Sequence, residues 1–229
     1  MTYDLNNIAN IANINVQNMF KEINSVKSKE TLQKLNINSK EWSLNNKLYN
    51  ILKYDKNFLN YDVYESIGLA KSIILNDKGE IVSFSPPKSV EYESFINTYP
   101  VNNCYGEEYI EGTMMNMFYD PNSENWEIAT KGTIGGKVSY FVNNNEKDNK
   151  KEMKTFRTMF LEAANNANFE FDILNKNYCY SFVLQHPENR IVCPIRETRL
   201  YLVAVYEIDN TKFVVNEMAR SEYTPVFEN

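Results

Sequence analysis

Short apolar runs separated by turn signals are the feature that most constrains how this chain can fold. Residues 72–75 and 81–84 are two such runs, and the intervening Asn76-Asp77-Lys78-Gly79 carries a glycine suited to the positive φ of a tight turn. A second pair, residues 109–119 and 126–130, flanks Asp120-Pro121-Asn122-Ser123. Both patterns predict β-hairpins, and therefore strands with antiparallel neighbours.

The C-terminal half continues this pattern with one helix. Residues 178–184, 189–193 and 199–208 predict strands, and residues 137–142 are a further candidate. Residues 154–165 place four apolar side chains on one helical face, and therefore predict an amphipathic helix. The polar tract 143–151 between them predicts a loop.

The N-terminal part predicts helices. Apolar residues recur every three to four positions over residues 1–35, which indicates an amphipathic helix, continuous or broken. Ser39 is a suitable N-cap for a second helix over residues 42–52. We therefore expect an α+β fold with mainly antiparallel sheets and flanking helices. Residues 1–65 would form an N-terminal helical or α+β portion and residues 66–229 a core, and the two would together make one continuous domain.

Composition narrows the functional classes. The chain has 229 residues and a formal net charge of -6, so one or two domains fit, and a nonspecific basic coat for nucleic acid is not expected. A local basic groove remains compatible with this charge. Three cysteines without paired spacing, Cys104, Cys179 and Cys193, indicate a reducing, cytoplasmic setting. Since no run of 18 apolar residues occurs, we expect no membrane-spanning segment.

Five segments in order resemble the nucleotidyltransferase domain of phage-type, T4-like, ATP-dependent RNA ligases. The resemblance covers roughly residues 70–208 and implies a nucleotidyltransferase-like fold, with ATP and Mg²⁺ as cofactors if the protein is active. The segments are Lys71-Ser72-Ile73-Ile74, Ser85-Pro86-Pro87-Lys88, Tyr109-Ile110-Glu111-Gly112-Thr113, Ala129-Thr130-Lys131-Gly132-Thr133, and Tyr180-Ser181-Phe182-Val183 running on to His186-Pro187-Glu188-Asn189-Arg190-Ile191-Val192.

The chain departs from the family pattern at three places. Tyr109 stands where the family has the lysine of Lys-x-Asp-Gly that takes AMP covalently, and a phenol with a pKa near 10 is a poor substitute nucleophile. Ser181 stands where the family has a glutamate. The later Glu-Gly and Lys-x-Lys segments are missing from residues 209–229. We therefore expect a C-terminally incomplete site, completed if at all by a partner chain or domain.

AMP transfer requires a neutral lysine, further cations around the phosphates, and carboxylates that hold a metal. The resemblance implies nucleotide-binding roles for six residues and a weak metal-ligand role for one of them, Glu111. Ordinary alternatives are surface lysines, a solvated glutamate and a glycine turn, while Arg190 suits an architectural role in a turn. The six residues are Lys71, Lys88, Glu111, Gly112, Lys131 and Arg190.

These features predict a catalytically degenerate, RNA ligase-like domain that binds a nucleotide or an RNA end. One alternative is an active ligase or nucleotidyltransferase with a relocated nucleophile, Lys88 or Lys131. Another is a structural viral protein that retains only the fold. An enzyme should need Mg²⁺ and one particular lysine, a binding module should show salt-dependent RNA affinity without turnover, and a structural protein should show neither.

Overall fold

The computed structural model describes residues 1–60, 63–104, 106–139, 154–189 and 192–228. Ten strands occur in this part of the chain: β1 (Thr2–Asp4), β2 (Ile37–Leu44), β3 (Lys47–Tyr54), β4 (Ile73–Leu75), β5 (Ile81–Phe84), β6 (Thr113–Asp120), β7 (Asn125–Ala129), β8 (Tyr178–Gln185), β9 (Arg199–Asp209) and β10 (Lys212–Val215). The α-helices described are α1 (Asn6–Ala12), α2 (Val16–Lys21), α3 (Val26–Lys34), α4 (Tyr92–Thr98), α5 (Phe156–Asn166) and α6 (Glu217–Glu228).

The strands form two antiparallel sheets. The larger sheet has the order β1-β10-β9-β8-β6-β7, and the smaller has the order β2-β3-β4-β5. All strand pairs in both sheets are antiparallel. This mixed architecture with antiparallel sheets and flanking helices agrees with the prediction. The first 65 residues contribute to both sheets, because β1 pairs with β10 while β2 and β3 extend the sheet that contains β4 and β5.

The larger sheet is buried on both faces. Alternate residues of its strands point to opposite sides, so Phe118 joins a core with the smaller sheet and the N-terminal helices, whereas Met117 joins a core with α5. Phe84 of β5 and Phe213 of β10 stack with ring centroids 3.9 Å apart, which ties the two sheets together. Phe160 of α5 packs on the opposite face of the larger sheet. The result is a layered structure of helices, sheet and sheet.

The helix predicted over residues 42–52 is wrong, because β2 and β3 form a hairpin there. Asn45 and Asn46 both adopt positive φ values, 51° and 62°, which suit a two-residue hairpin turn. Strand β3 lies between β2 and β4 and is buried on both sides from Tyr49 to Leu52. A strand covered on both faces has a near-continuous apolar run. Such a run also contains apolar residues three to four positions apart, which is the spacing expected of an amphipathic helix.

The helix predicted over residues 1–35 is broken into α1, α2 and α3, and residues 2–4 form a strand instead. Side chains of Asn15 and Ser25 cap the second and third helices by accepting backbone N–H groups, so each helix has its own start signal. These local caps explain why one continuous helix does not form.

Most of the remaining element predictions are confirmed. Strands β4 and β5 form the first predicted hairpin, β6 and β7 the second, and α5, β8 and β9 match their predictions. The strand predicted over residues 189–193 is wrong where the chain is described, since the Asn189 N–H closes a turn onto the His186 carbonyl. Residues 137–139 are not in a strand, while residues 140–142 and the loop 143–151 lie outside the described residues.

Candidate functional site

Three strands of the smaller sheet bring lysines to one edge. Leu52 of β3 pairs with Ile73 of β4, which pairs with Phe84 of β5. Because neighbouring strands are antiparallel, the end of β3, the start of β4 and the end of β5 meet on the same side of the sheet. Here and below, an edge of this sheet means a side formed by strand ends. Lys53 and Lys56 follow Leu52, Lys71 precedes Ile73, and Lys88 follows Phe84.

Backbone hydrogen bonds continue this arrangement beyond the strands. The Tyr54 N–H donates to the Ala70 carbonyl at 2.6 Å, which places the end of β3 beside Lys71. On the other side, the Lys88 N–H donates to the Gly68 carbonyl at 3.1 Å. The chain around Lys71 is therefore held between the segments that carry Lys53 and Lys88.

Lys131 reaches the same place from the larger sheet. It follows β7 in a tight turn that the Thr130 N–H closes by donating to the Thr133 carbonyl at 2.9 Å. Its Nζ lies 5.2 Å from the centroid of the Tyr54 ring. A Cβ atom placed on the neighbouring Gly132 would stand 3.2 Å from the Nζ of Lys53. The two sheets thus meet at a single group of ammonium ions.

We call Lys53, Lys56, Lys71, Lys88 and Lys131 the lysine cluster. Burial lowers the pKa of Lys71, and the charges of Lys131 and then Lys88 lower it further. Burial likewise lowers the pKa of Lys131, with contributions from Lys53 and Lys56. These directions agree with the backbone hydrogen bonds and ring contacts that bring the five side chains to one place.

The positive charge of the lysine cluster is not neutralised by the described part of the chain. Among described residues, no carboxylate lies within 4.0 Å of any of the five ammonium groups. Like charges held together without counter-charges raise the free energy of the empty site, and a bound anion lowers it. The arrangement is therefore chemically suited to a ligand with several negative charges.

Two tyrosine rings support the lysine side chains. Lys131 lies over Tyr54, and the Nζ of Lys88 lies 5.4 Å from the centroid of the Tyr64 ring. Such cation–π contacts contribute about 0.5–1 kcal/mol each at exposed sites. Burial, with a smaller contribution from Tyr64, raises the pKa of Tyr54, so its ring stays neutral and apolar beneath Lys131.

The glycine-rich stretch after Lys131 uses part of its own backbone. The Gly132 N–H donates to the Thr130 Oγ1 at 3.3 Å, and the Gly135 N–H donates to the Ile128 carbonyl at 2.7 Å. These two N–H groups are therefore engaged within the turn. The positive charge at this site comes from the lysine side chains.

Tyr109, which the resemblance to RNA ligases aligns with the nucleophilic lysine, is 91% exposed in the loop before β6. Glu111 and Gly112 lie next to the start of β6, and the carbonyl of Glu111 accepts a 2.8 Å hydrogen bond from the Gln185 side chain. Gly112 has φ of +149°, and a Cβ there would stand 2.6 Å from the Leu184 carbonyl oxygen. Glycine is thus required for the close approach of this loop to β8, and the carboxylate of Glu111 has no hydrogen-bonded or ionic partner among the residues described.

Ser181, which the resemblance aligns with a glutamate, belongs to a buried polar network. The Ser181 hydroxyl donates to Asn116 Oδ1 at 2.8 Å, and the Asn116 amide donates to the Ser85 hydroxyl at 2.5 Å. All three residues are buried. Ser85 immediately precedes Pro86-Pro87-Lys88, so the network links both sheets beneath Lys88 without adding a negative charge.

The turn after β8 is held by His186, which is 3% exposed. Its Nδ1 accepts the Glu188 N–H at 3.0 Å, and its Nε2 lies 2.9 Å from a carboxylate oxygen of Glu162. The Asn189 amide donates to the Thr113 hydroxyl at 2.8 Å, which joins this turn to the start of β6. His186 and Asn189 therefore have architectural roles, while the predicted site residue Arg190 lies outside the described residues.

The structure thus brings Lys71, Lys88 and Lys131 together and adds Lys53 and Lys56, which sequence reasoning missed. The erroneous helix over residues 42–52 concealed the latter pair, although the alternation around the Asn45-Asn46 turn was a usable hairpin signal. Glu111 belongs to no group of three or more potential metal ligands within the described ranges. A Mg²⁺ ion held mainly by phosphates needs only one or two carboxylates, so the metal role of Glu111 stays a prediction.

Comparison with known proteins finds a similarity over part of this chain. No protein-family model matches it. Over 107 residues, 46% of the chain, it is 32% identical to an RNA ligase from Rhodothermus phage RM378. The chain covers only 23% of that relative's length. In the part of the chain that the structure describes, no helix has the length and apolar character needed to cross a membrane.

Proposed function

We propose that this chain has an RNA ligase-like nucleotidyltransferase fold and binds the phosphate groups of a nucleotide or RNA end at the lysine cluster, without standard self-adenylylation. The observation that carries the proposal is the convergence of five lysines without a neighbouring counter-charge among described residues. The partial similarity to a phage RNA ligase supports RNA as the ligand class.

The chemistry of self-adenylylation explains why we do not expect this chain to carry it out in the standard way. In self-adenylylation a neutral amine attacks the α-phosphorus of ATP, a phosphorus–nitrogen bond forms, and pyrophosphate leaves. Tyr109 carries a phenol and no amine, so it cannot form that bond, and its ring is exposed. The chain therefore binds rather than turns over its ligand.

The same proposal covers the organisation of the chain. Residues 1–65 and 66–229 would form one continuous domain, since each part supplies strands to both sheets. Glu111 and Gly112 would contact the nucleotide from the loop before β6, whereas the role predicted for Arg190 stays a prediction because Arg190 lies outside the described residues.

A second candidate function is active nucleotidyl transfer through a relocated lysine, with ATP and Mg²⁺ as cofactors. The observation in its favour is the lowered pKa of Lys131, caused first by burial and then by Lys53 and Lys56. A lowered pKa increases the neutral fraction of an amine at physiological pH. Lys88 is the other candidate, and its Nζ donates to the Ser89 carbonyl at 3.0 Å.

Two measurements test these functions together. Intact-mass spectrometry after incubation with ATP and Mg²⁺ should show no AMP adduct, whereas an adduct lost in Lys131→Ala or Lys88→Ala would establish the second candidate. Fluorescence anisotropy with 5′-phosphorylated RNA should show salt-dependent binding that Lys131→Ala weakens.

Lys78→Ala is the matched control, because Lys78 lies in the turn between β4 and β5 at the opposite edge of the same sheet. It should leave binding unchanged. Absence of both an adduct and RNA or nucleotide binding in folded protein would leave only the structural role.

A further inference from the structure

The lysine cluster is longer than a single phosphate requires. Lys53 and Lys56 lie at the end of β3, and Lys88 follows the end of β5. Strands β3 and β5 are separated by one strand, β4, in the sheet. The cluster therefore extends over about 10 Å perpendicular to the strands, in the direction of the inter-strand hydrogen bonds. Lys71 precedes β4, the strand between β3 and β5, and the Nζ of Lys131 lies 5.2 Å from the centroid of the Tyr54 ring at the end of β3.

The β3 end of the cluster also carries an exposed aromatic ring. Phe58 follows Lys56 by two residues and is 61% exposed, although a phenylalanine normally gains about 1.5–3 kcal/mol from burial. Its backbone N–H donates to the Asp55 carbonyl, and the Asp55 side chain accepts the Asn57 N–H at 2.9 Å. A compact turn therefore holds Phe58 at the surface, two residues after Lys56.

Cations in a row beside an exposed ring are the recognition chemistry of single-stranded nucleic acids. Lysines follow the phosphate backbone, while an aromatic ring stacks on a base with little dependence on sequence. Tyr54 is buried beneath Lys131, whereas Phe58 offers an exposed ring for stacking in the described part of this end of the cluster.

We propose that Lys53, Lys56 and Phe58 form a second subsite, which binds the phosphate and base of the nucleotide adjoining the terminal one in single-stranded RNA. Lys71, Lys88 and Lys131 hold the terminal phosphate, and Lys131 lies between the two subsites. This inference rests on the proposed function and adds that affinity increases with RNA length.

The test is anisotropy titration with AMP as competitor and with 5′-phosphorylated single-stranded RNAs of two, four and eight nucleotides. Wild-type protein should bind the eight-mer more tightly than AMP. Lys53→Gln combined with Lys56→Gln should lower the magnitude of the eight-mer's logarithmic salt slope by about 1.4, because each phosphate contact to a single strand contributes about 0.7. Phe58→Ala should weaken eight-mer binding about 10-fold, within the range measured for base stacking.

The control is Lys47→Gln combined with Lys78→Gln, which removes the same charge at the opposite edge of the same sheet. This control should retain wild-type affinity for every ligand. AMP affinity should fall clearly less than eight-mer affinity in the Lys53 and Lys56 double variant, and should change little in Phe58→Ala. Circular dichroism and thermal melting would confirm that each variant is folded.

Several outcomes would overturn the inference. Equal loss of AMP and eight-mer affinity in the double variant would mean one phosphate site. The ligand would be a polyphosphate if inorganic triphosphate competed as well as RNA and if Phe58→Ala left the affinity for the eight-mer unchanged. If DNA of the same length binds as tightly, the subsite reads single strands without selecting RNA. If AMP binds but affinity does not grow with length, this inference fails while the proposed function stands, and if nothing binds, both fail.

Discussion

Lys71→Met should stabilise the free protein while it weakens anion binding. Methionine is close to lysine in length and flexibility, so the substitution mainly removes a charge that is partly buried among other lysines. Two unit charges about 7 Å apart repel by about 0.6 kcal/mol at the dielectric of water and about 2.4 kcal/mol at an effective dielectric of 20. The positive charges of two neighbours, Lys131 and Lys88, act on Lys71.

Salt reduces this repulsion, since the Debye length is about 8 Å at physiological ionic strength. We therefore expect the free energy of unfolding to rise by about 1–2 kcal/mol after screening. For a chain of this size that corresponds to an increase in Tm of about 2–8 °C. Differential scanning fluorimetry at low ionic strength would measure it, with Lys78→Met as a control that should leave Tm unchanged.

The dependence on pH has a definite sign. The pKa of Lys71 is lowered in the folded protein, so the unfolded chain binds more protons between that value and the unperturbed pKa of about 10.4. The repulsive cost is therefore present below the folded pKa and is relieved as the pH rises through this window. The advantage of Lys71→Met should be largest near neutral pH and smaller near pH 10.

Anions supply the complementary measurement. Pyrophosphate should raise the Tm of the wild-type protein, because a ligand that binds only the folded state at 100 times its Kd adds about 2.7 kcal/mol. It should raise the Tm of Lys71→Met by less. A variant that melts below the wild type at neutral pH, or that gains as much from pyrophosphate, would refute the claim that Lys71 is part of an uncompensated anion site.

Three further changes test other parts of the structure. Tyr49→Phe removes the hydroxyl that donates to the buried carboxylate of Asp120 at 2.6 Å. It should lower the free energy of unfolding by about 2–3 kcal/mol in urea denaturation, and an unchanged urea midpoint would contradict this. Gly112→Ala, which meets the Leu184 carbonyl, should lower stability by about 1–3 kcal/mol, whereas Gly106→Ala should be tolerated because nothing lies within 4 Å of its Cβ. Tyr109→Lys should give no AMP adduct in mass spectrometry, because so exposed an amine keeps its usual pKa and stays protonated; an adduct would show that the rest of the site is competent.

Elements with strong local signals were predictable from the sequence. The turn Asn76-Asp77-Lys78-Gly79 defines its hairpin through a glycine with φ of +74°. The apolar face of α5 and the long apolar run of β9 were also sufficient to identify those elements. By contrast, β2 and β3 were assigned wrongly, because burial of β3 on both faces depends on partners distant in sequence and removes the alternation expected of a half-buried strand.

The candidate site shows the same division between local and long-range information. Its composition was partly accessible, since Lys71, Lys88 and Lys131 were selected from motif order alone. Their proximity to Lys53 and Lys56 was not, because it depends on the register of three antiparallel strands and on a turn supplied by the other sheet. The exposure of Tyr109 likewise depends on how the loop before β6 packs.

The sequence by itself determined the antiparallel hairpins, the helix α5 and the resemblance of the motifs to RNA ligases, which aligns Tyr109 with a lysine. These features depend on residue identity and on spacings of a few positions. Only the tertiary structure decided that five lysines from four separate segments meet at one sheet edge without a neighbouring carboxylate among described residues. Electrostatic interaction depends on distance in space, and strand pairing sets that distance independently of separation along the chain.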